Sequence, residues 1–257
     1  MCSMKTQVMG ILNLTPDSFF EDSRMTEADK IRTRAKRIVA DGASVIDVGA
    51  CSTRPGSVLA SESQELQRLE FGLPLIREVC PDVPLSVDTF RSSVAEKCVR
   101  EWNVSYINDI SGGDEIMYQT AGLLKAGYIL TYNHKNEEDM ISDMMSFFRE
   151  RITRIRAAGV KNIILDPGFG FNKTLEQNYL VMKNMSLLNT FDLPVLVGIS
   201  RKSMIFKLLG VTPGESLNGT SVLNAFAVAQ GAAWLRVHDV REAVETVKIV
   251  NAVNGFY

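Results

Sequence analysis

The chain has 257 residues, 46% hydrophobic and 23% charged, an ordinary soluble composition that can bury a sizeable core as one large domain or two small ones. Lys plus Arg number 28 against 30 for Asp plus Glu, and the net charge of -2 excludes any general electrostatic attraction to nucleic acid or an anionic membrane. Cys2, Cys51, Cys80 and Cys98 form no CxxC pair and His134 lies far from His238, so a reduced, cytoplasmic chain without a structural metal cage is expected.

The first residues, MCSMKTQVMGILNL, lack the basic, apolar and small-residue regions of a signal peptide. Nowhere do about 18 apolar residues run together, and no membrane span is expected. Short β-branched apolar runs predict strands at 7–14, 44–50, 84–88, 105–110, 128–132, 162–166, 194–199 and 233–237. Segments of helical period lie between them. EADKIRTRAKRIVADG (27–42) sets Ile31, Ala35, Ile38 and Val39 on one face and closes at Gly42. ESQELQRLEFGLPLIREV (62–79) behaves alike, with Gly72 and Pro74 predicting a break partway. Eight βα units in about 250 residues, with no linker or composition shift, predict a single α/β domain over 1–257, a TIM (β/α)8 barrel. A doubly wound open sheet is the alternative.

Barrel active sites lie where the strands end. Those ends read Asn13; Asp47, with Thr53 and Arg54 just beyond; Asp88; Asn108 with Asp109; Asn133; Asp166; Ser200 to Lys202; and Arg236 with His238. One polar strand end is ordinary solvation, but eight around one rim point to function. Asp47, Asp88 and Asp166 supply carboxylates, whereas Arg54, Arg201, Lys202 and Arg236 are cationic, so the cleft is expected to divide by charge. A carboxylate accepts paired hydrogen bonds from an aminopyrimidinone edge, and Asn108 can both donate and accept, which suits a polar heterocycle. Structural roles compete at two positions, with Asp109 capping the next turn and Asp47 supporting its neighbours.

Arg236 and His238, two apart on a strand, share a face and can grip one oxyanion. GISRKSM (198–204) leaves a strand to open a helix, a favourable place for negative charge, and Lys202 can serve either half of the cleft. The long first loop, NLTPDSFFEDSRMTEAD, suits a lid, in which Phe19 and Phe20 cover a flat ring or staple the loop to its own helix. STRPGS makes a second exposed loop. DPGFGF (166–171) lacks the Lys-Ser/Thr of a phosphate-cradling P-loop, and its glycines fit a tight turn beside a ligand. Cys51 reads as a packing residue rather than a reactive thiol.

MGILNLTPDSF (9–19), DGASVIDVGACSTRPGS (41–57), LSVDTF (85–90), YINDISGG (106–113), ILDPGFGF (164–171), VGISRKS (197–203) and RVHDV (236–240) together resemble the dihydropteroate synthase family, in the family's order and across almost the whole chain. The resemblance implies a (β/α)8 barrel that joins 6-hydroxymethyl-7,8-dihydropterin diphosphate to 4-aminobenzoate, releasing diphosphate, in folate biosynthesis. It also implies a sulfonamide target and a homodimer. By motif, Asp88, Asn108, Asp166 and Lys202 would hold the pterin, and Asn13 would ligate Mg²⁺ on the diphosphate. Thr53, Arg54, Arg236 and His238 would surround the anion. Ser200, Phe171 or Phe169, Pro55 and Lys202 would border aminobenzoate, and Asp17 would order the first loop or steady developing positive charge. One block departs from the family, placing Thr131 and Tyr132 where Met-His is usual. The first loop also reads SFFEDS where a smaller residue and glycine are common. Two other classes compete: a pterin-binding protein without turnover, and a pterin-dependent methyltransferase, which would not need TPDSF and STRPG.

Overall fold

Strands that are apolar on both faces bury both only when helices cover the outside of a parallel sheet. The computed structural model describes residues 6–14, 24–51, 59–135 and 139–255, and it follows this rule. The strands are β1 (Gln7–Asn13), β2 (Val45–Gly49), β3 (Leu85–Asp88), β4 (Tyr106–Asp109), β5 (Gly127–Thr131), β6 (Ile163–Asp166), β7 (Leu196–Val197) and β8 (Trp234–Val237). They form one sheet in the order β6-β5-β4-β3-β2-β1-β8-β7, and every pairing is parallel. The two ends meet at a parallel bridge between Leu165 and Val195, where the Leu165 amide donates to the Pro194 carbonyl at 2.9 Å. An open doubly wound sheet needs a reversal in strand order, and there is none here. The fold is a TIM barrel.

Around it lie α1 (Arg24–Ala40), α2 (Glu62–Val79), α3 (Ser92–Trp102), α4 (Glu115–Leu124), α5 (Met140–Ala157), α6 (Leu175–Asn184), α7 (Ser203–Leu209), α8 (Leu217–Ala229) and α9 (Val240–Val253). Among the described residues α7 and α8 both fall between β7 and β8, one helix more than the regular repeat.

Three sequence expectations need correction. First, α2 runs unbroken through Pro74, whose ring is exposed, so the carbonyl it leaves without a donor lies on the solvent side. Gly72 is there for contact: a Cβ would stand 2.6 Å from Leu14 Cδ1. Second, Val39 is 38% exposed; Ala28, Ile31, Ala35 and Ile38 make the buried face of α1. Third, β7 is two residues long, Leu196–Val197 against the expected 194–199; its ladder with β8 covers only those two residues, and the Val195 carbonyl before it accepts from both Ala233 and Trp234.

Side chains alternate between the helix layer and the barrel interior. Outward residues such as Val8, Leu12, Ile46, Val48, Leu130 and Leu165 join the large core beneath the helices. Inward, Met9, Val45, Ile129, Ile164, Leu196 and Trp234 form a separate apolar floor, with Tyr106 packed against it. The floor lies towards the N-terminal ends of the strands, below the positions that face the mouth.

Candidate active site

Two residues beyond the floor the inward positions turn polar: Asp47 after Val45, Asn108 after Tyr106, Thr131 after Ile129, Asp166 after Ile164 and Arg236 after Trp234. Barrel interiors usually carry bulky branched side chains at such levels. Parallel register brings these groups together, pairing Asp47 with Ser86, Asp88 with Asn108 and Thr131 with Asp166.

At the centre is Arg236. Its Nε donates to Asp47 Oδ2 at 2.6 Å and its Nη2 to Asp88 Oδ2 at 2.7 Å, while Asn108 Nδ2 reaches the same Asp47 oxygen at 3.2 Å. Burial opposes the Arg236 charge, but the two carboxylates outweigh it and hold the guanidinium protonated. Burial pushes Asp88 up to about 7, with Arg236 pulling the other way. The cleft is therefore not divided by charge as the sequence suggested: acids and bases interleave, since charges this deep survive only when paired. Asp47 does support its neighbours from inside the barrel.

Among the described residues four buried polar atoms here have no partner: Asp47 Oδ1, Ser86 Oγ, Asn108 Oδ1 and Thr131 Oγ1. Leaving a buried polar atom unpaired costs on the order of 1–3 kcal/mol, so four in one chamber are expensive as pure scaffolding.

Asp166 ends β6. Its Oδ1 accepts from the Gly168 amide at 2.8 Å, and burial raises its pKa against the nearby Lys202 charge. Gly168 has φ +68°, and a Cβ there would lie 2.0 Å from the Tyr132 carbonyl, so DPGFGF is a glycine-dependent turn at the mouth as expected. Lys202 crosses that turn, donating to the Phe169 carbonyl, with its ammonium 4.6 Å from the Phe171 ring centre. Burial lowers it to about 8, opposed by Asp166. Phe171 is half-buried beneath this cation, whereas Phe169 belongs to the outer core, so Phe171 is the ring at the mouth.

His238 and Ser200 adjoin: the His238 amide and Nδ1 each lie 3.1 Å from Ser200 Oγ. Arg34 steadies this corner from α1, its Nη2 donating to the His238 carbonyl at 2.6 Å. Arg201 is committed elsewhere, in a bidentate pair with Asp239 at 2.8 Å on both oxygens, and leaves the cationic set. Lys202 caps α7, which is only seven residues long, so helix polarity adds little there. Asn13 is exposed at the end of β1, and its Oδ1 lies 3.1 Å from where a Gly49 Cβ would stand. Among the described residues no group of three or more His, Cys, Asp or Glu is placed to hold a metal ion. One neutral amide oxygen fits a hard ion such as Mg²⁺ that keeps several waters and takes its other ligands from a bound phosphate group.

Asp17, Thr53, Arg54, Pro55, Phe19 and Phe20 lie outside the described residues. Asn133 turns away from the chamber, donating to the Ile110 carbonyl at 2.8 Å and accepting from Asn172 at 2.9 Å. Asp109 caps its own turn through the Ser111 amide at 2.8 Å. Of the two departures after β5, Thr131 faces the chamber, while Tyr132 packs outward and donates to Asp143 at 2.6 Å. Sequence reading missed Ser86, one inward step before Asp88, where period-two alternation was the available signal. It also missed Lys173, whose Nζ donates to the carbonyls of Tyr132, Gly168 and Phe171 at 3.2, 2.8 and 3.2 Å and so ties the DPGFGF turn to β5. Burial lowers Lys173 to about 7. Only its tight carbonyl contacts reveal it.

A parallel barrel with an apolar floor and a polar, acid-lined mouth defines a TIM-barrel enzyme, and the family model described as pterin binding enzyme matches residues 9–238. The dihydropteroate synthase of Bacillus subtilis is 38% identical over 257 residues, covering 97% of this chain and 89% of that protein. Two solved structures superpose closely. The Anaplasma phagocytophilum enzyme with bound 6-hydroxymethylpterin-monophosphate gives a TM-score of 0.89 at 34% identity, over 97% of this chain and 99% of that one. The Thermus thermophilus enzyme in complex with 4-aminobenzoate gives 0.86 at 34% identity, over 97% and 95%. The chain belongs to the dihydropteroate synthases, transferases of folate biosynthesis.

Proposed function

We propose that the barrel mouth joins 6-hydroxymethyl-7,8-dihydropterin diphosphate to 4-aminobenzoate, with Mg²⁺ as cofactor. The observation that carries this reading is the chamber of four unpartnered buried atoms beside Asp88, Asp166 and Arg236. A flat ring edged with amide, amine and ring-nitrogen groups supplies the missing partners, with Asp88, Asn108, Asp166 and Lys202 as its ligands. Relatives solved with a pterin monophosphate and with 4-aminobenzoate support both substrates.

In the reaction the bond between the pterin methylene and the diphosphate oxygen breaks, leaving the electron pair on diphosphate. The arylamine nitrogen forms the new carbon–nitrogen bond and sheds a proton. That amine is neutral at pH 7, so no strong base is required. Mg²⁺, when bound with Asn13 as its protein ligand, would neutralise charge on the departing diphosphate. Arg236 donates from Nε and Nη2 to the carboxylates, and its Nη1 would serve the anion; with His238, Thr53 and Arg54 it would receive the leaving group. Phe171, Ser200, Pro55 and Lys202 would border the arylamine, so sulfonamides, which mimic it, would compete there. Asp17 would order the first loop or steady charge developing on the methylene. Purified protein given both substrates and Mg²⁺ should release diphosphate, and omitting 4-aminobenzoate should abolish release. Pterin binding with no diphosphate release under any of these conditions would leave only a binding protein.

A homodimer is proposed through the outer face of α7, α8 and α9, where Leu208, Leu209, Val222, Phe226, Ile249 and Val253 are exposed on adjacent helices. Light scattering should give twice the chain mass and Phe226→Asp half of that; a monomeric wild type would contradict it. A reducing, cytoplasmic setting is supported by Cys51, Cys80 and Cys98, all free thiols. Among the described residues no helix is long and apolar enough to cross a membrane.

A further inference from the structure

We propose that the Thr131 hydroxyl is a specificity-determining contact to the pterin ring, an inference that rests on the function proposed above. Thr131 is the last residue of β5, fully buried and paired in register with Asp166. Its neighbours in the strand fix its direction: Ile129 belongs to the barrel floor and Leu130 and Tyr132 to the outer core, so Thr131 points into the chamber. The methyl group has its own place, 3.2 Å from the point where a Gly168 Cβ would stand. The hydroxyl has none, for Thr131 Oγ1 finds no partner among the described residues.

A β-branched residue suits this strand, and packing alone would be met equally by valine, which has the same shape without the buried polar atom. Threonine keeps the unfavourable group at the level where Asn108 and Asp47 also present unpartnered oxygens. A hydroxyl can donate to a ring nitrogen or carbonyl and accept from a ring N–H, which the weakly accepting thioether of the family's usual methionine does poorly. A site built to hydrogen-bond its ligand discriminates against analogues lacking the matching group far more strongly than an apolar wall does.

The test compares the full-length wild type, Thr131→Val and Thr131→Ser, measuring thermal stability without ligand and calorimetric binding of 6-hydroxymethylpterin. Thr131→Val replaces the hydroxyl with a methyl group of similar size, so its Tm should equal or exceed the wild type's while the dissociation constant for pterin rises about tenfold, the cost of leaving the ring's partner unpaired. Thr131→Ser keeps the hydroxyl but loses the methyl, so it should lose Tm and bind within about threefold of wild type, since the contact survives. A merely structural threonine would give the reverse pattern. Wild-type pterin binding matched by Thr131→Val would overturn this inference and leave the proposed function standing. A wild type that does not bind 6-hydroxymethylpterin would overturn the proposed function and this inference with it.

Discussion

Arg236→Met removes the one cation shared by Asp47 and Asp88 while keeping an unbranched side chain of similar length. Breaking a buried ion pair by deleting one partner costs about 3–5 kcal/mol, because a charge is left desolvated and unpaired. An unfolding entropy of about 0.5 kcal/mol/K for a chain this long converts that into a Tm loss of about 6–10 °C. The loss should depend on pH. Asp88 already sits at about 7 in the folded protein, raised by burial against the pull of Arg236. Without that pull it moves higher. A carboxylate raised above its unfolded value binds the extra proton in the native state, so stability falls as pH rises from about 4 through the folded pKa. The variant pays more over that window, and its deficit against wild type should be largest near pH 8 and several degrees smaller at pH 5. Differential scanning calorimetry of both proteins at the two pH values measures it. A deficit that is equal at both, or larger at pH 5, would refute the shared counter-ion role.

Asp166→Asn should weaken binding of the plain pterin alcohol by tenfold or more, since a charge-assisted acceptor becomes a neutral one; a variant slower in turnover with unchanged pterin affinity would contradict this. Lys173 is lowered to about 7 in the fold, so between about pH 7 and 10 the unfolded chain binds a proton that the native state does not, and wild-type stability should rise there. Lys173→Met should abolish that particular rise and lower Tm by taking a donor from three carbonyls, of which, among the described residues, only that of Gly168 keeps another, the Phe171 amide, as thermal melts across the range would show. Gly168→Ala must push a methyl against the Tyr132 carbonyl from a left-handed backbone; both Tm and pterin affinity should fall, and an unperturbed variant would show that the turn has more slack than its geometry allows.

Much of the fold was readable because each strand is a short apolar run and each helix shows one apolar stripe. The rim residues Asp88, Asn108, Asp166, Ser200, Lys202, Arg236 and His238 followed once barrel strand ends were taken as the place for chemistry, and the structure gathers them at one opening. What sequence did not reveal depends on three-dimensional pairing. Arg201 and Arg236 look equivalent as cations near strand ends, yet one is locked to Asp239 and the other lies between Asp47 and Asp88. Pro74 signals a helix break only if its lost hydrogen bond is buried, and exposure was not legible. The short β7 reflects a ladder with β8 that covers only Leu196 and Val197, a backbone pairing that leaves no side-chain pattern.

The most direct test is a structure of the protein with 6-hydroxymethyl-7,8-dihydropterin diphosphate and Mg²⁺ bound. The ring should lie within hydrogen-bonding distance of Asp88, Asn108 and Asp166, with Thr131 Oγ1 paired to it and the diphosphate turned towards Asn13 and His238. A ring bound outside the barrel mouth, with the buried oxygens of Asp47, Asn108 and Thr131 still unpaired, would contradict the account.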